Sequence, residues 1–167
     1  MLQPQTQKTI LDRLLIGTAV VFLIGVTLLY FNNTFVGNAI LTPKLTHVSI
    51  LTAKGSVEID AEVARTDWKR EQGLMYRTYL PRNRGMLFIF PEEVQENFWM
   101  KNTKIPLDMI FADANMHINH IVENAQPCLN DPCPLILPRG FFQYMIEVNA
   151  GTVKENYIKE GDTIILQ

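Results

Sequence analysis

From Leu14 to Phe31 the chain reads LLIGTAVVFLIGVTLLYF, eighteen consecutive positions without a charged side chain. Wound as an α-helix they would extend about 27 Å, close to the roughly 30 Å hydrocarbon core of a bilayer. The uncharged stretch runs on to residue 43, while Lys8 and Arg13 precede it and no cation follows until Lys44. The positive-inside bias then keeps the short tail in the cytoplasm and carries the remainder across. Residues 1–31 are accordingly expected to form a cytoplasmic tail and transmembrane anchor. The rival is a signal peptide cut near Gly37-Asn38-Ala39, which would leave a secreted protein. The apolar run exceeds the about 7 to 15 residues of a signal core, which favours the anchor. An all-round apolar helix buried in so small a domain would have too little protein to hide in.

The export expectation sets the chemistry of Cys128 and Cys133, which lie in PCLNDPCP. In an oxidising compartment such a pair reads as a disulfide. Closing that short loop contributes about 2 kcal/mol by chain entropy. A lone C-x4-C without clustered His lacks the four ligands of a structural zinc, so no metal site is assigned. The chain has 167 residues and a formal charge of −2, with no Lys/Arg run. One modest domain fits that length, and the basic footprint of a nucleic-acid binder is missing.

Residues 32–43 read as a tether and 44–167 as an extracytoplasmic domain. Strict alternation over Val57–Val63 predicts a half-buried strand. Thr66 is placed to cap a short helix that starts at Asp67 and stops at Gly73. The unbroken apolar run Gly85–Phe90 predicts a strand covered on both faces, in the middle of the sheet. Segments 97–101 and 107–111 flank a turn-like 102–106 and suggest a hairpin; a second crosses 112–115 into 117–123. A strand over 144–148, a short helix within 151–159 and a last strand over 163–166 complete a β-rich α+β domain.

RTDWKREQGLMYR (65–77), GMLFIF (85–90), FWMKNTKIPLDMIF (98–111) and the PC…C segment resemble, in this order, the family called domain of unknown function 192. The resemblance covers about residues 57–167 and excludes the anchor. It implies a small curled or barrel-like sheet with one or two short helices, export in many bacterial members, and no established reaction or cofactor.

Several residues are candidates for function. Alternation from Phe98 to Lys101 puts Phe98 and Met100 on one side and Trp99 and Lys101 on the other. Pairing this segment with 107–111 would set Lys101 opposite Asp108 and Trp99 opposite Ile110. Trp99, Lys101 and Asp108, with Asn102 at the loop, would then form a polar cluster beside one large aromatic surface. Such a group suits a small polar ligand, or a general base at Asp108 if burial raised its pKa; it is equally a cross-strand ion pair at an edge. Arg70 and Arg77 suit carboxylate or phosphate recognition, or local pairing with Asp67, Glu71 or helix-end carbonyls. Glu147 is either on the solvent face of its strand or turned inward against an arginine.

Met75, Met86, Met100, Met109, Met116 and Met145 are spread through separate apolar segments, as core gap-fillers are. Copper handling would need three S or N ligands converging on one point. His117 and His120, three apart in a strand, point to opposite faces, and His47 stands alone. No phosphate loop, H-E-x-x-H or G-x-S-x-G occurs. The expectation is a membrane-anchored accessory or ligand-binding domain whose partner is a small polar ligand or an envelope protein. The alternatives are an envelope enzyme acting on a polar or saccharide-like substrate through Asp108, a metal-handling protein, and a structural or interaction module.

Overall fold

The β strands of this chain arise where apolar residues recur at every second position or fill both faces, and each such segment pairs with a neighbour. The computed structural model describes residues 20–27 and 44–167. Residues 20–27, within the expected anchor, are helical (α1), and the rest of that span lies outside the described residues. Among the described residues no helix is long and apolar enough to cross a membrane.

Within Pro43–Gln167 the strands are β1 (Leu45–Thr52), β2 (Gly55–Ala64), β3 (Arg84–Val94), β4 (Phe98–Trp99), β5 (Leu107–Ala112), β6 (Ile118–Ala125), β7 (Leu135–Ile136), β8 (Phe142–Asn149) and β9 (Thr163–Leu166). The helices are α2 (Asp67–Gln72) and α3 (Thr152–Asn156). Seven strands form one sheet in the order β6-β5-β8-β3-β2-β1-β9, and β4 pairs with β7 separately. All neighbours in the sheet are antiparallel except β2 and β3, whose parallel pairing is made possible by the crossover through α2. The sheet curls until its outer strands meet: His117 bridges Thr163, and the Ile118 N–H donates to the Asp162 carbonyl at 2.8 Å. This is the β-rich α+β architecture with a curled, half-barrel sheet and few short helices.

β3 occupies the central position, as its unbroken apolar run requires. Its alternate residues feed two separate cores. Leu87 packs with Ile59, Ile110, Ile146 and Val148 on one face. Met86, Phe88 and Phe90 pack with Leu107, Met109, Phe111, Phe142 and Met145 on the other. Gly85 lets β3 lie against β8, since a Cβ there would sit 2.6 Å from the Glu147 carbonyl oxygen. Met86, Met100, Met109 and Met145 lie in the second core and Met116 packs against the first, as core gap-fillers do, whereas Met75 lies in neither.

The helix signals at 66–73 also hold. The Thr66 side chain accepts from the Lys69 N–H at 3.3 Å. Gly73 ends α2 at φ 46° and ψ −136°, a backbone region that essentially only glycine tolerates.

The expected hairpin between 97–101 and 107–111 does not form. β4 pairs with β7, setting Phe98 opposite Ile136 and Trp99 opposite Leu135. β5 lies inside the main sheet between β6 and β8, and all six of its residues are buried. Its alternation of apolar residues around one acid resembled an exposed-faced strand, but the acid meets its needs inside the protein. β1 and β7 were not foreseen at all.

Candidate functional site

α2 and the Gly73-Leu74-Met75 segment that follows it form one side of a cleft of about 330 Å³. Phe88 and Phe90 of β3 and Phe98 and Trp99 of β4 supply its aromatic walls, and Glu147 of β8 lies at its floor. The walls are braced. The Phe98 ring packs on Phe111, Phe142, Phe88 and Phe90 at centroid distances of 5.4, 5.7, 6.4 and 6.5 Å. Alternation along β8 puts Glu147 on the same face as Met145, toward this aromatic core.

Glu147 is 6% exposed, and its Oε2 is buried without a hydrogen-bond partner. Burial pushes its carboxyl up to about 8, against the downward pull of a Leu74 N–H hydrogen bond and the nearby Arg77 charge. Arg77 does not hold the group ionised because it is already paired to Glu62 at 2.7 Å. Gly73 keeps the carboxyl open to the cleft: a Cβ there would stand 3.5 Å from Oε2 and 3.3 Å from the Phe88 ring.

The expected residues fall into distinct places. Trp99 lines this cleft and also a neighbouring hollow of about 400 Å³ with Trp68, Tyr76, Lys101 and Asn102. The foreseen split of Phe98 and Met100 from Trp99 and Lys101 holds: Met100 is buried while Trp99 is 42% exposed. Lys101 finds Asp131 at 2.8 Å rather than Asp108, and its ammonium stands 5.7 Å from the Trp99 ring centroid. The Asn102 amide donates to the Tyr76 hydroxyl at 3.0 Å, and its backbone N–H donates to the Cys128 carbonyl at 2.9 Å. The Cys128–Cys133 disulfide is formed, and its loop thereby buttresses the hollow.

Arg70 lines the first cleft and is held there by several partners. It pairs with Asp67, donates to the Arg65 and Ile89 carbonyls at 2.6 and 3.0 Å, and lies 4.8 Å from the Phe90 ring centroid. Arg77 lies in a third hollow of about 470 Å³ that shares Gly73 and Met75.

Asp108 belongs to none of these hollows. It is fully buried and accepts from the Asn124 N–H at 2.8 Å and the Val153 N–H at 2.9 Å. Its register partner is Val148 on β8, so it points to the opposite face of the sheet from Trp99. It ties the start of α3 and the end of β6 to β5, which is a structural task. Periodicity alone does not decide which way Glu147 points. The clue was Met145-Ile146: adjacent apolar residues mark β8 as buried on both faces, so an acid within it is inward on either face.

Over residues 49–166 the chain matches the family described as DUF192, Uncharacterized ACR. The chain belongs to the DUF192 family. Two solved structures share the fold. One, from Sinorhizobium meliloti 1021, is of a proposed transcription regulator; it is 38% identical, with a TM-score of 0.70 over 75% of this chain and 96% of that one. The other is a protein of unknown function from Novosphingobium aromaticivorans DSM 12444, 30% identical, with a TM-score of 0.68 over 77% of this chain and 89% of that one. No curated protein matches the chain.

Proposed function

We propose that this DUF192 member is a membrane-anchored, extracytoplasmic domain that binds a small polar ligand in the cleft between α2 and β4. One observation carries the reading: a carboxyl buried on the floor of an aromatic-walled cleft, with an oxygen that no protein group satisfies. Leaving a buried polar atom unpaired costs about 1 to 3 kcal/mol, a cost that a functional site tolerates when the missing partner comes with the ligand. The cleft volume of about 330 Å³ lies in the range of small-molecule sites. The anchor reading rests on the apolar run 14–31, and the compartment reading on that run together with the disulfide. The relative's description as a regulator does not bring nucleic acid with it, because the cleft rim carries Asp67, Glu71 and Glu96 against Arg70 alone.

The test is ligand-observed NMR on the full chain in detergent with a library of small polar molecules. Binding that Trp99→Ala weakens at least tenfold, and that Asp108→Asn leaves unchanged, supports the cleft as the site. Ligands that bind equally to the parent and to both Trp99→Ala and Glu147→Gln place the site elsewhere and overturn the reading.

A further inference from the structure

We infer that the cleft floored by Glu147 receives a small organic cation, an ammonium group, and that Glu147 gives up its own proton to solvent as the cation enters; this rests on the ligand-binding reading above. The charges lining the cleft favour such a guest. Four acids, Asp67, Glu71, Glu96 and Glu147, face one base, Arg70. The Asp67 carboxylate and the Arg70 guanidinium neutralise each other, and the Arg70 Nη1 donates to two carbonyls. Among the described residues no ion pair engages Glu71, Glu96 or Glu147. The cleft therefore presents two unpaired carboxylates, Glu71 and Glu96, at its rim above a neutral carboxyl at its floor, and the rim disfavours an anion.

The walls add a second, independent preference. Phe88, Phe98 and Trp99 line a space of about 330 Å³, the Phe90 ring already carrying the Arg70 guanidinium, and aromatic rings attract ammonium groups by their quadrupole. A metal ion is a poorer fit, since among the described residues no three His, Cys, Asp or Glu converge on one point.

The floor then supplies the coupling. Oε2 has no protein donor, and Gly73 leaves the space beside it open. The charged groups around Glu147 are Arg77, held by Glu62, and Arg70, Asp67, Glu71 and Glu96 in the cleft; no Lys, His or Tyr lines it. With its carboxyl pushed up to about 8, Glu147 is mostly protonated at neutral pH. An incoming cation favours the ionised form, so the O–H bond breaks, the proton passes to water, and the carboxylate pairs with the ammonium.

The experiment titrates the full chain in detergent with n-butylammonium and tetramethylammonium, against butanol and butyrate as neutral and anionic counterparts. Trp fluorescence and NMR read binding, and calorimetry in two buffers of different ionisation enthalpy reads proton release. The ammonium probes should bind saturably, at least tenfold more tightly than the other two, releasing about one proton per probe at pH 6.5. Their affinity should rise about tenfold per pH unit from pH 6 and level above about 8. Glu147→Gln, which mimics the neutral acid in shape, should flatten that profile and weaken binding at least tenfold. Butanol or butyrate binding as well as the ammonium probes, in a Trp99-dependent way, would overturn the cation inference and leave the ligand-binding reading standing. Ammonium binding without proton release, unchanged in Glu147→Gln, would also overturn it. No saturable response from either ammonium probe would overturn the cation inference, while the ligand-binding reading stands or falls on the library screen.

Discussion

Replacing Glu147 by Gln should make the protein more stable at neutral and alkaline pH, and the gain should grow with pH. The folded protein holds the Glu147 proton more tightly than the unfolded chain does, because ionising a group that is 6% exposed strips it of water. Below about pH 4.5 both states are protonated and the carboxyl carries no penalty. As pH rises the unfolded chain ionises first, so the folded state loses ground until Glu147 itself ionises near 8. The interval from the ordinary 4.5 to about 8, at about 1.4 kcal/mol per pH unit, amounts to about 5 kcal/mol by pH 9. Gln keeps the shape and never ionises, so it escapes the whole penalty. Urea titrations of both full chains in mild detergent, followed by Trp fluorescence from pH 4 to 9, measure the difference. The raised His47 and lowered Glu58 are common to both proteins and cancel. Parallel stability curves across that range would refute the placement of an uncompensated carboxyl in the cleft floor.

Asp108→Asn should cost about 2 kcal/mol, because an amide offers one acceptor where two buried N–H donors need satisfying; the urea midpoint should fall while binding of cleft ligands is unchanged. Gly73→Ala should lose about 2 kcal/mol from the positive-φ backbone at φ 46° and ψ −136°, and the added methyl, 3.5 Å from Glu147 Oε2, should also weaken ligand binding. Cys128→Ser with Cys133→Ser should cost about 2 kcal/mol by freeing the loop. It should also broaden NMR signals at Asn102 and Lys101, which that loop holds through the Cys128 carbonyl and Asp131.

Local rules were readable wherever one short-range cause decides the outcome. The Thr66 cap, the Gly73 stop, the covered strand at 85–90 and the disulfide each follow from a few neighbouring residues. What could not be read is long-range pairing. FWMKN-T-x-IPLD looks like two strands around a turn, yet β5 gains more by burying all six residues between β6 and β8 than by lying at an edge with Asp108 in water. The acid that looked reactive is held by backbone N–H groups from elements distant in sequence, which no periodicity reports. β7 is only two residues long and exists because β4 needs an edge partner. The candidate site was half legible: Trp99, Lys101 and Asn102 do share one hollow, whereas Glu147 became visible only once β8 was known to be covered on both faces.

The most direct measurement is the pH titration of the Glu147 side-chain carboxyl by ¹³C NMR, in the full chain with and without n-butylammonium. A carboxyl that is neutral at pH 7, ionises near 8, and becomes ionised at pH 7 when the amine is added is the predicted result. A carboxyl already ionised at pH 6 and indifferent to the amine would contradict the account.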